Sequence, residues 1–219
     1  MRPVFLFSLP RAGSTLVQRI LGAHPDVATA SEPWLLLPLL YALRGEGALA
    51  EYDHAAAALA LQDFAAVLPR GQDDYREELR QFVMRLYEKA TRTAGQAGSG
   101  TREARYFLDK TPRYHLVADE IIATFPDARF IFLWRNPLAV AASVVDTFGR
   151  GRWNVYEFTV DLYAGLEKLV AAYQRHKERS HALRYEDLIA DSAKAVRGLE
   201  EYLELPHCES LVESFPRVE

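Results

Sequence analysis

One cysteine, Cys208, stands in 219 residues, which excludes an internal disulfide framework and suits a reducing compartment. A cationic excess is also missing. Lys and Arg number 26 against 30 Asp and Glu, a formal charge of -4, so no overall basic field draws the chain to nucleic acid or anionic lipid. Any anion site has to be local. No apolar run approaches the ~20 residues that span a bilayer. Trp34 to Leu43 is interrupted by Pro38, and Val4 to Phe7 is too short for a signal-peptide core and leads at once into Pro10 and Arg11. A soluble, cytoplasmic protein with no membrane span and no nucleic-acid partner is therefore expected. His and Cys nowhere cluster at metal-ligand spacing, so no metal is expected, and no internal repeat is evident.

What the sequence does have is apolar mass, 49% hydrophobic and 11% aromatic, enough for one substantial core. At this length a single domain over residues 1–219 is the expectation. Short apolar runs bounded by turn or charge signals lie at Val4 to Phe7, Tyr106 to Leu108, Phe130 to Trp134 and His181 to Arg184, and read as buried strands. Helical spacing separates them: Leu16 and Ile20, Leu162 and Leu166, and Leu169 and Tyr173 each stand at i and i+4. Strands alternating with helices predict an α/β, three-layer fold with a central parallel sheet flanked by helices. Residues 52–93 show helical spacing without a strand signal and read as a helical insertion. Residues 94–100, rich in Gly, Ala and Ser, read as an exposed loop. Asp191 opens a helix with Val196, Leu199 and Leu203 on one side, and Pro206 stops it.

The strand at Val4 to Phe7 runs into Ser8-Leu9-Pro10-Arg11-Ala12-Gly13-Ser14-Thr15 and then into an amphipathic helix, the context a phosphate cradle requires. Against G-x-x-x-x-G-K-[ST], Gly13 and Thr15 fit, Ser8 replaces the first glycine, and Ser14 replaces the lysine that would reach β and γ phosphates. The fold is thus expected to be P-loop-like, without an intact triphosphate loop. What remains is a helix start whose free amides at Gly13, Ser14 and Thr15 point at an anion, with Arg11 supplying charge. The missing lysine, and the lack of an acidic residue plainly placed for Mg²⁺, favour a ligand with a single phosphate there. Arg135, after the strand at Phe130 to Trp134, and Ser143 eight positions on form a second candidate anion site. It belongs on the same sheet edge, because open α/β sheets bind ligands at the carboxyl ends of their strands. Taken alone, Ser14 and Thr15 also read as ordinary helix caps and Arg135 as a surface ion-pair residue.

These residues resemble the sulfotransferase family, in which a 5'-phosphosulfate loop after the first strand is paired with an Arg and a Ser spaced as Arg135 and Ser143 are. Pro10 to Leu16, continuing to Ala23-His24-Pro25-Asp26-Val27, is particularly similar to the tyrosylprotein and Golgi carbohydrate branch. The resemblance implies the donor 3'-phosphoadenosine 5'-phosphosulfate, with adenosine 3',5'-bisphosphate as product, held by Arg11, Ala12, Gly13, Ser14, Thr15, Arg135 and Ser143. It implies an acceptor hydroxyl on a small molecule, a peptide or a carbohydrate. Glu32 falls where that branch has its general base. Asp109-Lys110-Thr111-Pro112 is similar to a Lys-Ser/Thr-Pro element whose lysine acts on the transferred group, and Leu183 to Leu188 is similar to a motif ending the last core strand. The implied catalytic set is Glu32, Lys110 and Arg11. The family's later basic, glycine-containing loop over the 3'-phosphate has no counterpart between Pro206 and Glu219.

His115 competes with Glu32 as the base, since histidine titrates nearest neutrality, whereas His24 reads as structural in the turn before Pro25. Ser31-Glu32-Pro33 also reads as a helix start, where Glu32 would only complement the dipole. Arg184 to Asp187 reads as structural, with Glu186 or Asp187 bonding backbone and Tyr185 packed beneath. Arg150, Arg152 and Trp153 are candidates for an acceptor groove. The alternative functions are a P-loop small-molecule kinase, which Ser14 argues against, and a non-catalytic nucleotide-binding module.

Overall fold

An apolar run with no polar alternation needs cover on both faces, which a central parallel strand receives. Val4 to Phe7 is such a run, and all four residues are buried. In the computed structural model, which describes residues 1–97, 104–149, 152, 155–209 and 211, this run is β1 (Arg2–Phe7), the middle strand of a five-stranded parallel sheet. The others are β2 (Val27–Thr29), β3 (Tyr106–Asp109), β4 (Arg129–Trp134) and β5 (Ser180–Arg184), in the order β2-β3-β1-β4-β5. The chain moves to one side of β1 for β2 and β3 and to the other for β4 and β5. The carboxyl ends of β1 and β4 therefore flank the topological switch point, where such sheets open a crevice.

Four of the five strands lie where the runs predict them, but β5 is not the buried strand expected: at the sheet edge it buries only Leu183, because one side of it has no neighbouring strand. The fifth, β2, is an addition that no such run announces: it has three residues, of which only Val27 is fully buried. Tertiary bonds hold it. Gln18, buried on α1 (Ser14–Gly22), donates to Thr29 Oγ1 at 2.9 Å, and Thr29 Oγ1 donates to the Leu108 carbonyl at 2.8 Å. The stretch at residues 52–93 is helical, as α3 (His54–Ala66) and α4 (Gln72–Ala97), after the short α2 (Leu36–Tyr41). Of the loop expected at residues 94–100, residues 94–97 are helical instead: α4 continues through Ala97, because an already formed helix propagates at little cost even across Gly95, and 98–100 lie outside the described residues.

Beyond β3 come α5 (Ala118–Thr124), α6 (Pro137–Phe148), α7 (Leu166–His176), α8 (Tyr185–Ala190) and α9 (Ser192–Tyr202). Asp191 caps α9, accepting from the Lys194 amide at 3.0 Å, and Val196, Leu199 and Leu203 are buried. Among the described residues, no helix is long and apolar enough to cross a membrane.

The core is aromatic across β1 and β4. Phe5 and Phe130 stack at 6.2 Å between ring centroids, and Phe7 meets Phe132 at 5.1 Å. Such rings carry packing energy beyond the area they bury. Replacing fully buried Phe130 by alanine is expected to lower the unfolding free energy by about 3–5 kcal/mol in chemical denaturation. A loss below about 1 kcal/mol would show that this face of the sheet is not the core.

Candidate functional site

The loop from Ser8 to Gly13 leaves β1 in a conformation that few residues tolerate. Arg11 and Gly13 both have positive φ, 65° and 96°. Only glycine suits the second position, since a Cβ there would fall 2.4 Å from Tyr185 Cδ2. Gly13 precedes α1, which begins without a side-chain cap, so Ser14 and Thr15 are not the ordinary caps they resemble in isolation. Their amides start a helix whose dipole favours an anion.

Two arginines converge on this loop. Arg135, at the end of β4, donates from Nη1 to the Arg11 carbonyl at 2.7 Å and lies 4.4 Å over the Tyr185 ring. Arg11 Nε donates to Ser143 Oγ on α6 at 3.3 Å. The α6 start that sets this spacing is capped by Asn136, whose Oδ1 accepts from the Leu138 amide at 2.9 Å. Glu186 in turn accepts from the Asn136 amide at 2.8 Å, a bond that holds its carboxyl below the usual range. Trp134, Arg135, Asn136, Arg184 and Glu186 line an open cavity of about 360 Å³ beside the loop.

The second cluster forms at the end of β3. Lys110 is only 3% exposed, and its Nζ lies 2.6 Å from Glu32 Oε1 and 3.4 Å from Thr15 Oγ1. A lysine, a carboxylate and the phosphate-loop hydroxyl are thus in contact. Glu32 is not a helix-start residue, because α2 begins only at Leu36 with Leu35 before it. Its segment is tied down by the Trp34 amide, which donates to Thr111 Oγ1 at 3.2 Å.

Asp109, next to Lys110, is fully buried and accepts from Thr111 Oγ1 at 3.1 Å, Tyr114 at 2.9 Å and Tyr87 at 2.5 Å. Sequence reasoning assigned none of these residues to the site. The available signal was an Asp at a strand end directly before the lysine; Tyr87 comes from α4 and gave no signal at all.

The two candidate histidines, His24 and His115, are each hydrogen-bonded into the fold. His24 accepts from the Asp26 amide through Nδ1 at 3.0 Å and donates through Nε2 to the Pro206 carbonyl at 3.1 Å, a structural role. His115 is buried with its ring nitrogens turned to the Ser8 carbonyl and to Asp161, and neither reaches Glu32 or Lys110. Tyr185, read as packed beneath, packs against the loop itself. Of the groove candidates, Arg150 and Trp153 lie outside the described residues, and Arg152 is exposed with its amide bonded to the Gly149 carbonyl.

Burial pushes the Asp109 carboxyl above its ordinary range, although the hydroxyls of Tyr87, Tyr114 and Thr111 and the charge of Lys110 oppose the shift. A carboxyl raised in the folded state contributes stability below its unfolded pKa near 3.8 that is lost as pH rises through the folded value. Denaturation from pH 4 upward should therefore show the parent losing stability relative to Asp109→Asn until that value is passed, then a constant difference. A parent that gains on the variant over this window would contradict the shift.

The model of the sulfotransferase family matches residues 3–209. The nodulation protein NoeE of Sinorhizobium fredii is 37% identical over 145 residues, covering 66% of this chain and 31% of its own. The sulfotransferase domain of the Synechococcus PCC 7002 olefin synthase superposes with a TM-score of 0.57 at 25% identity, over 95% of this chain and 75% of that one. Mouse sulfotransferase SULT7A1, solved with PAP, does so at 0.52 and 12% identity, over 99% and 63%, a likeness of fold alone. The chain spans between 25% and 37% of the length of the curated relatives it matches. With this sheet and loop, a family match running from residue 3 to residue 209 makes the chain a member of the sulfotransferase family.

Proposed function

We propose that the chain transfers a sulfuryl group from 3'-phosphoadenosine 5'-phosphosulfate to an acceptor hydroxyl. The observation that carries this reading is buried Lys110, in contact at once with the Glu32 carboxylate and with Thr15 of the phosphate loop. The donor fits the residues present. The left-handed loop leads into α1 with no side-chain cap on its first amides, which leaves them for an anion, and three cationic side chains, Arg11, Lys110 and Arg135, stand at the loop. Arg11, Ala12, Gly13, Ser14 and Thr15 would hold the 5' end, and Arg135 with Ser143 the 3'-phosphate beside the cavity at Trp134.

The donor supplies an activated sulfuryl group whose bond to the 5'-phosphate breaks as the acceptor oxygen attacks in line. Glu32 takes the proton from the acceptor hydroxyl. Lys110, Arg11 and the amides of Gly13, Ser14 and Thr15 face the charge that builds on the leaving phosphate, a fixed arrangement that needs no reorganisation at the moment of transfer. The acceptor carries its hydroxyl on a small molecule, a peptide or a carbohydrate. Similarity of Pro10 to Val27 to the tyrosylprotein and Golgi carbohydrate branch supports the last two.

Calorimetric titration with adenosine 3',5'-bisphosphate should show binding that needs no Mg²⁺ and exceeds that of ATP with Mg²⁺. The opposite preference would favour a kinase. With an acceptor in hand, Glu32→Gln is expected to lower turnover by about 10²–10⁴ while leaving bisphosphate affinity intact, and Arg135→Ala mainly to weaken that affinity. Parent-like turnover in Glu32→Gln would remove Glu32 from the mechanism.

A further inference from the structure

Beneath the phosphate loop lies a buried cluster that the transfer chemistry leaves unused. The side chains of His115 and Asp161 are 0% and 1% exposed. Three segments meet at them: the end of β1, the 3-10 turn Tyr114–Leu116 that follows Lys110, and a π-helical turn, Val160–Gly165. Turns of the last kind are rare and are frequently found at functional sites. His115 Nδ1 lies 3.1 Å from the Ser8 carbonyl oxygen. A carbonyl only accepts, so Nδ1 carries the hydrogen and donates it.

Asp161 backs the ring from the other side. Its Oδ1 lies 3.2 Å from His115 Nε2, close but off the hydrogen-bond line. Arg113 grips both carboxylate oxygens, donating from Nε at 3.2 Å and from Nη2 at 3.1 Å. Burial pushes the Asp161 carboxyl up, but the pull of His115 and the bonds and charge of Arg113 outweigh it, so the group stays below its ordinary range. Gly165 makes room for this packing, since a Cβ there would fall 2.5 Å from His115 Cδ2 and Nε2.

What the cluster holds is the first peptide of the loop. The left-handed residues Arg11 and Gly13 follow, of which Arg11 is strained, and strained backbone persists only where its surroundings over-determine it. Arg135 holds the Arg11 carbonyl and Tyr185 packs on Gly13, which leaves the departure from β1 to be fixed. A peptide is planar and trans, so a bond to the Ser8 carbonyl also sets the direction of the Leu9 N–H. We propose that His115 is a positioning residue for donor binding: its Nδ1–H, backed by Asp161 and Arg113, sets how the loop leaves β1 and where the amides of Gly13 to Thr15 meet the phosphate. This rests on the donor site proposed above.

His115→Asn and His115→Gln separate this role from packing. The Asn amide stands where the imidazole has Nδ1, and the Gln amide where it has Nε2. Both variants and the parent, as full chains, are titrated with adenosine 3',5'-bisphosphate, and hydrogen exchange is followed at amides 9–15. The Gln variant is expected to bind about tenfold more weakly and the Asn variant within about threefold of the parent, the difference that one buried hydrogen bond makes. Faster exchange should appear at amides 9–15 in the Gln variant alone. Equal impairment of both variants, impairment of neither, or affinity that merely follows each variant's Tm overturns the proposal. If the parent binds no bisphosphate, the donor-site reading fails, and exchange alone then decides on His115: loosening confined to the Gln variant upholds the anchor, and equal exchange removes it.

Discussion

A loop with left-handed backbone at Arg11 and Gly13 cannot hold itself between a buried strand and a helix. A non-glycine residue such as Arg11 costs about 1–3 kcal/mol in that conformation and keeps it only where the rest of the chain insists on it, and glycine is the residue that adopts it freely. Here Arg135 bonds the Arg11 carbonyl, Tyr185 fills the space a Cβ at Gly13 would need, and Arg135 lies over that same ring. These clamps come from β4 and from the start of α8. Both must sit beside β1, so the placing of β4 next to β1 and β5 next to β4 is a requirement of the loop as much as of the core.

The same dependence runs on the other side of β1. Burying an ammonium is costly unless it is paired and hydrogen-bonded. Lys110 meets that condition through Glu32 and Thr15, and buried Asp109 beside it meets its own through three hydroxyls. One of these hydroxyls, on Tyr87, belongs to α4. That helix is therefore tied into the floor beneath the lysine. The clamp on the loop and the network under Lys110 face each other across the carboxyl end of β1, bringing cations, loop amides and a carboxylate into one region.

Much of this was legible residue by residue. β1, β3 and β4 are apolar runs whose burial on both faces leaves no alternation to confuse, while β5, an edge strand, buries only Leu183; Ser8 to Thr15 is a contiguous motif with local chemistry. Arg135 and Ser143 could be paired with it because the carboxyl ends of parallel strands share one edge. Other parts left no such mark. β2 depends on Gln18 and Thr29 reaching across to β3, a bond pattern invisible in three residues of ordinary composition. Glu32 read as a base, with a helix start as the alternative; the structure removes the alternative, because the Trp34 amide, bonded to Thr111, holds the Glu32 segment ahead of α2. His115 looked like a free base, yet its ring is enclosed by Ser8, Asp161 and Gly165.

The sequence by itself determined the strand and helix alternation, the phosphate-loop residues and the identity of the charged groups available to an anion, because each follows from spacing within a few residues. Only the tertiary structure decided which of those groups meet. Lys110 meets Glu32 and not another acid, His115 turns to Ser8 and Asp161, and Tyr185 closes on Gly13. Contacts of that kind depend on sheet order and on helices docking from distant parts of the chain. A side chain's partner is set by where the core places it, which no local pattern encodes.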